Sequence, residues 1–202
     1  RYIARQFQTR RFPCAIHLGD VYYAGRKGEF EKHFRGPLDP VLPSTELFML
    51  NSNHEMYSGS KWYFRYLDDK RAAHPGRQRQ EGSQFVLRTG PFQIIGIDTA
   101  YHNHGRYPVD ALRQQLEARL REGKADQRIN ILLSADHPYE YGNGGNTSLL
   151  GEDLREMART NLIDLWFWGN THYCALFDRS PEAPFFGSCI GHGGFPYGRK
   201  RH

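Results

Sequence analysis

A chain of 202 residues with 27 Lys and Arg against 22 Asp and Glu carries a formal charge of +5 and a pI near 9.2. That length suits one domain over residues 1–202, able to bury roughly 70% of the surface its unfolded chain exposes. No apolar run reaches membrane-spanning length, and no early segment joins basic residues to an apolar stretch and a cleavage site, which speaks against a span and a secretory leader. Cys14, Cys174 and Cys189 are odd in number and lack metal-ligand spacing. They read as buried free thiols rather than a disulfide framework, and so as the mark of a reducing, cytoplasmic setting. The basic balance suits an anionic partner but describes a solvated Lys/Arg surface equally well.

In chain order, residues 1–11 read as a helix with Ile3 and Phe7 on one face, followed by a strand over 14–18 and a second over 47–50. Residues 71–81, with His74, Arg77 and Arg79, form a polar basic loop. Strands over 84–87 and 92–98 flank the turn Thr89-Gly90-Pro91, as in a hairpin. Residues 109–121 give the clearest helix: Val109, Leu112, Leu116 and Leu120 share a stripe, and Arg113/Glu117 and Glu117/Arg121 are i,i+4 pairs. A strand over 129–133, a helix near 149–159 and a strand over 162–168 follow. Strands over 174–177 and 185–190 have Gly-rich ends. Helices alternating with strands imply a layered α/β sandwich, the late strands forming a second sheet.

Polar residues recur where these strands end. Asp20 and Tyr23 stand in Gly19-Asp20-Val21-Tyr22-Tyr23, Asn53-His54-Glu55 follows the second strand, His137 follows 129–133, and His172 follows 162–168. Open α/β folds place ligand chemistry at the carboxyl ends of strands. Each residue also has a plainer reading: Asp20 as a turn acid, Tyr23 as a buried ring with a bonded hydroxyl, Asn53 and His54 as a helix cap, His172 as a satisfied interior histidine. His102 and His104 read as loop polarity and His192 as a Gly-flanked turn. Nucleic-acid binding rests on charge alone and ranks last, since no aromatic-basic groove is written in the chain.

The segments GDVYY, SNHEMYSG, LLSADHPY and WFWGNTHYCALF, with CIGHGG near the end, resemble the calcineurin-like metallophosphoesterases, above all their purple-acid-phosphatase-like branch. The resemblance covers nearly the whole chain. It implies a four-layer α/β/β/α fold and a dinuclear centre of Mn, Fe or Zn that hydrolyses a phosphate ester with metal-activated hydroxide. On that resemblance Asp20 bridges two metals, Asn53 binds one through its amide oxygen, and His54 stabilises or protonates the leaving oxygen. Tyr23 takes the place of a phenolate on ferric iron, and His172 that of the second histidine in Gly-His-x-His.

Departures from the pattern are equally specific. The family's first acid motif falls before residue 1, so the fold is expected to lack its first strand. Aligning Leu133-Ser134-Ala135-Asp136-His137-Pro138 on the serine and proline puts Ala135, which has no donor atom, at a metal-binding histidine. Sliding the alignment lets His137 or Asp136 serve, at the cost of a bulge. Asn170 replaces the first histidine of Gly-His-x-His, and Ser52 the glycine before Asn53. Two functions therefore stand: a metal-dependent phosphoesterase, or a weakened member of the fold that binds phosphate or a protein partner.

Overall fold

The apolar runs become strands close to their predicted places because the central ones have an apolar layer on both faces and the edge ones on at least one. The computed structural model describes residues 6, 12–42, 45–74, 76, 80–100, 109–138 and 154–191. Of the helix expected over 1–11, only Gln6 falls among them, and it is helical. The strands are β1 (Cys14–His17), β2 (Glu46–Met49), β3 (Phe85–Thr89), β4 (Phe92–Ile97), β5 (Ile129–Ser134), β6 (Leu165–Trp168), β7 (Cys174–Phe177) and β8 (Phe186–Ile190). Among the described residues β1 and β2 pair in parallel as one sheet, and the others form a six-stranded sheet in the order β3-β4-β5-β6-β8-β7. The β3–β4 pair is the expected hairpin, turning through Gly90 at φ +50°.

The late strands therefore do not make a second sheet, which corrects the sequence-based expectation. β6 has β5 on one side and needs a partner on the other for its backbone groups; β8 supplies it in parallel, Leu165 opposite Phe186. The second sheet is the β1–β2 pair. Between the two sheets lies a core of Phe48, Leu50, Phe85, Leu87 and Leu133. Strand alternation sends the intervening residues outward: Leu47 and Met49 meet one helical layer, while Ile95, Ile97, Leu132, Trp166 and Trp168 meet the other. The result is the four-layer α/β/β/α arrangement.

The layer outside β1–β2 was only partly expected. A helical run made of Lys27–Phe30, a π-helical turn Glu31–Arg35, Gly36–Leu38 and a 3-10 turn Asp39–Val41 packs there with α1 (Asn53–Met56) and α2 (Lys61–Ala73). Their buried face is largely aromatic: Phe30, Phe34, Tyr63, Tyr66 and Leu67. Because α2 continues through Ala73, the polar basic loop begins at His74 rather than Arg71. On the opposite side α3 (Val109–Ala125) buries the predicted leucine stripe, and α4 (Arg155–Ala158) lies within the expected 149–159. Helix α3 outlasts its predicted end, and buried Asn130 ties it to the loop before β6, donating to the carbonyls of Leu120 and Leu162 at 2.8 Å each. No helix among the described residues is long and apolar enough to cross a membrane. None of the three cysteines is in a disulfide, and only Cys189 is buried; Cys14 is half-buried and Cys174 exposed.

Two polar contacts finish the small sheet. Gln80, fully buried, places its amide against the outer edge of β2, accepting from Met49 N at 2.8 Å and donating to Met49 O at 2.7 Å. At the end of β1, His17 Nδ1 accepts the Gly19 N–H at 3.0 Å while its ring edge meets Phe34. Burial pushes the His17 imidazole from 6.5 down to about 4. The unfolded chain takes up that proton first, so this contribution is whole above pH 6.5 and fades as pH falls toward 4. Glu55 and Asp98, raised by burial, act in the opposite sense, so the measurement must be a difference. Between pH 7 and 5 the wild type should lose about 2 kcal/mol relative to His17→Gln, read by urea denaturation.

Candidate functional site

Two strand-end loops meet where β1 and β2 finish. Gly19 and Asp20 both lie at positive φ, +93° and +63°, which turns the chain back over the sheet. A Cβ on Gly19 would stand 2.7 Å from Ser52 Cβ, so glycine is needed both for its dihedral and for its size. Asp20 tolerates the left-handed region better than most residues. Ser52 and Glu55 close a capping box at the start of α1, with Ser52 N donating to Glu55 Oε2 at 2.9 Å.

The same Ser52 hydroxyl touches Asp20 Oδ1 and Glu55 Oε2. A hydroxyl has one proton, so it donates to one of the two carboxyls at a time. Burial raises both acids above the usual carboxylate range, against the lowering effect of Ser52 on each. Tyr22, nearly fully buried, hydrogen-bonds Glu55 as well.

A second pair of loops comes from the large sheet. β4 ends in Asp98, buried and accepting from Asn51 Nδ2 at 3.2 Å and Ala100 N at 3.0 Å. Beyond β5, Asp136 Oδ1 accepts Asn170 Nδ2 at 3.0 Å, and Asn170 itself lies at φ +56° beyond β6. The charge of Asp136 raises both Asp20 and Asp98, which places these strand ends about one acidic cluster. Ser134 holds the Asp136 loop from below: its hydroxyl donates to Asp136 O at 2.6 Å and accepts Trp166 Nε1 at 2.8 Å.

Of the expected site residues, Asp20, Asn53 and Asn170 sit at these converging strand ends. His54 lies on α1 with Nδ1–H donating to the Tyr23 carbonyl, leaving Nε2 as the nitrogen available to a ligand. Its ring contacts Tyr23 at 5.8 Å and Tyr57 at 5.0 Å. Tyr23, 76% exposed, is therefore part of an aromatic ledge; the tyrosine that reaches the buried acids is Tyr22. Ala135 is fully buried, and the polar side chain its loop delivers to the cluster is that of Asp136. His137 is half-buried, and His172 is exposed on the turn after Asn170. His102, His104 and His192 lie outside the described residues. Asp98 had no place among the site residues read from the sequence, and Glu55 entered only as the end of Asn53-His54-Glu55. Asp98 could have been found by the signal that singled out Asp20, an acid that ends a buried strand.

Fit to metal can be tested on these atoms. Asp20 Oδ2 and Asn53 Oδ1 are buried acceptors with no hydrogen-bond partner among the described residues, the kind of oxygens a cation satisfies. The described residues do not assemble a full dinuclear set. Among the described residues no group of three His, Cys, Asp or Glu side chains could hold a metal ion.

Solved structures resemble this chain at low identity. A purple acid phosphatase from yellow lupin (Lupinus luteus) seeds matches with TM-score 0.60 and 15% identity over 95% of the chain, which spans 38% of the lupin protein. A dimetal phosphatase from Danio rerio matches with TM-score 0.61 and 15% identity, covering 92% of this chain and 74% of that one. GAP50, the anchor in the inner membrane complex of Plasmodium, matches with TM-score 0.62 and 12% identity, covering 100% and 68%. No family model matches the sequence, and no curated protein matches it either. The fold is that of the calcineurin-like metallophosphoesterases.

Proposed function

We propose that the chain is a phosphate-ester-binding domain on the metallophosphoesterase fold, its two-metal centre reduced to one weak cation site at Asp20 and Asn53. The bond between Asn170 and Asp136 carries the reading: at the ends of β5 and β6, where the resemblance expects metal-binding histidines, an amide and a carboxylate satisfy each other. Ala135 adds no donor. His54, with Nε2 left over, is the group that meets a phosphate oxygen. A bound divalent ion, Mn, Fe or Zn, would supply Lewis-acid contact to the phosphate beside it. Cysteines that form no disulfide favour a reducing compartment such as the cytoplasm.

The metal-dependent hydrolase is the second reading, and the unpartnered Asp20 Oδ2 and Asn53 Oδ1 favour it, since a working centre needs such oxygens held ready. The likeness to an anchor protein gives the fold a precedent outside catalysis and makes a protein partner the other use of the same surface. Elemental analysis after dialysis, paired with phosphate titration, distinguishes them. The proposal expects at most one ion per chain, aryl-phosphate turnover near background, and phosphate binding that His54→Ala weakens. Two ions that survive a chelator, with His54-dependent turnover, would establish the hydrolase instead.

A further inference from the structure

Away from the acids, three cations gather about one indole. Lys27 Nζ, Lys61 Nζ and Arg65 Cζ stand 5.5, 5.6 and 5.7 Å from the centroid of the Trp62 ring. All three are exposed, and none has an ion pair among the described residues. The neighbouring acids are already engaged: Arg35 pairs with Glu31, Asp39 and Asp69. Beside the indole is a recess of about 200 Å³, with Phe30 and Tyr66 in its floor. Cations held over a ring keep their charge available to a second, anionic partner, and mutual repulsion among them falls when that partner arrives.

We propose that this surface docks a short acidic segment of another protein, whose Asp or Glu residues meet Lys27, Lys61 and Arg65 around the Trp62 indole. Charge complementarity carries the choice. The recess takes about one side chain, a size that suits a peptide. Glu31 and Asp69 are held by Arg35, and three cations about one ring match a few carboxylates rather than a continuous polyphosphate backbone, which sets nucleic acid second. None of these residues belongs to the acidic cluster, so the inference stands whether or not the chain hydrolyses anything.

The other two tryptophans, Trp166 and Trp168, are fully buried, so added ligand perturbs Trp62 emission selectively. The probe is the synthetic peptide Ac-Glu-Glu-Asp-Leu-Glu-Asp-Glu-amide, titrated into the wild-type chain and followed by fluorescence and calorimetry. Saturable binding is expected, weakened at least about tenfold by raised salt and by Lys61→Glu with Arg65→Glu. The salt series on wild type keeps the test decisive if that variant misfolds. Absence of binding, equal binding of the Gln/Asn version of the peptide, indifference to salt, or tighter binding of a short oligothymidylate would each overturn the proposal.

Discussion

Ala135→His and Asn170→His, made together, should give Mn²⁺-dependent hydrolysis of an aryl phosphate at least about 100-fold faster than wild type, while either alone should change little. The asymmetry follows from the geometry. Asn170→His alone releases Asp136 from its amide partner but leaves Ala135 without a donor, and Ala135→His alone faces an Asp136 still bound to Asn170. Two ions need both ends of the set, and groups that act as a unit return activity only as a unit. Adding His54→Ala to the repaired chain should remove most of the gain if that ring meets the leaving oxygen, as the resemblance implies. Steady-state release of a nitrophenol reads all five proteins, wild type included. A repaired, metal-loaded chain that stays inert would argue for a pure binding domain.

Trp166→Ala should cost about 3–5 kcal/mol of stability, a large part of what a domain of this size commonly has. Trp166 is fully buried, stacks near Phe185 with centroids 5.4 Å apart, and fills the layer between β6 and the outer helices. The loss is more than volume. Without its Nε1–H, the Ser134 hydroxyl that holds the Asp136 carbonyl loses its own donor. Trp166→Phe separates the two effects: it should keep most of the stability, measured by chemical denaturation, yet loosen the Asp136 loop, seen as faster amide exchange there.

The strands were legible because burial on both faces writes an apolar run that needs no knowledge of partners. Pairing was not legible. β7 exposes Cys174 and Leu176 and turns Ala175 and Phe177 inward, the alternation of any edge strand, and nothing in that pattern says which sheet it borders. The helices against β1–β2 were missed because tyrosines and phenylalanines carry their inner face, among many charged residues. At the site, Asp20, Asn53 and His54 could be read from motif context. Glu55 hid inside a capping box, Asp98 inside the end of a strand, and Asp136 behind the choice of alignment at Ala135. Which tyrosine of the Tyr22-Tyr23 pair turns inward depended on the tight turn at Gly19 and Asp20.

The Gln80 amide on the rim of β2 has a bearing on how the small sheet can grow. A side chain there occupies the donor and acceptor of Met49 that an incoming backbone would need, so that rim is closed to strand addition. Growth of the sheet is thereby confined to the flank of β1. Removing the amide would open a second flank and, with it, a route to edge-to-edge self-association.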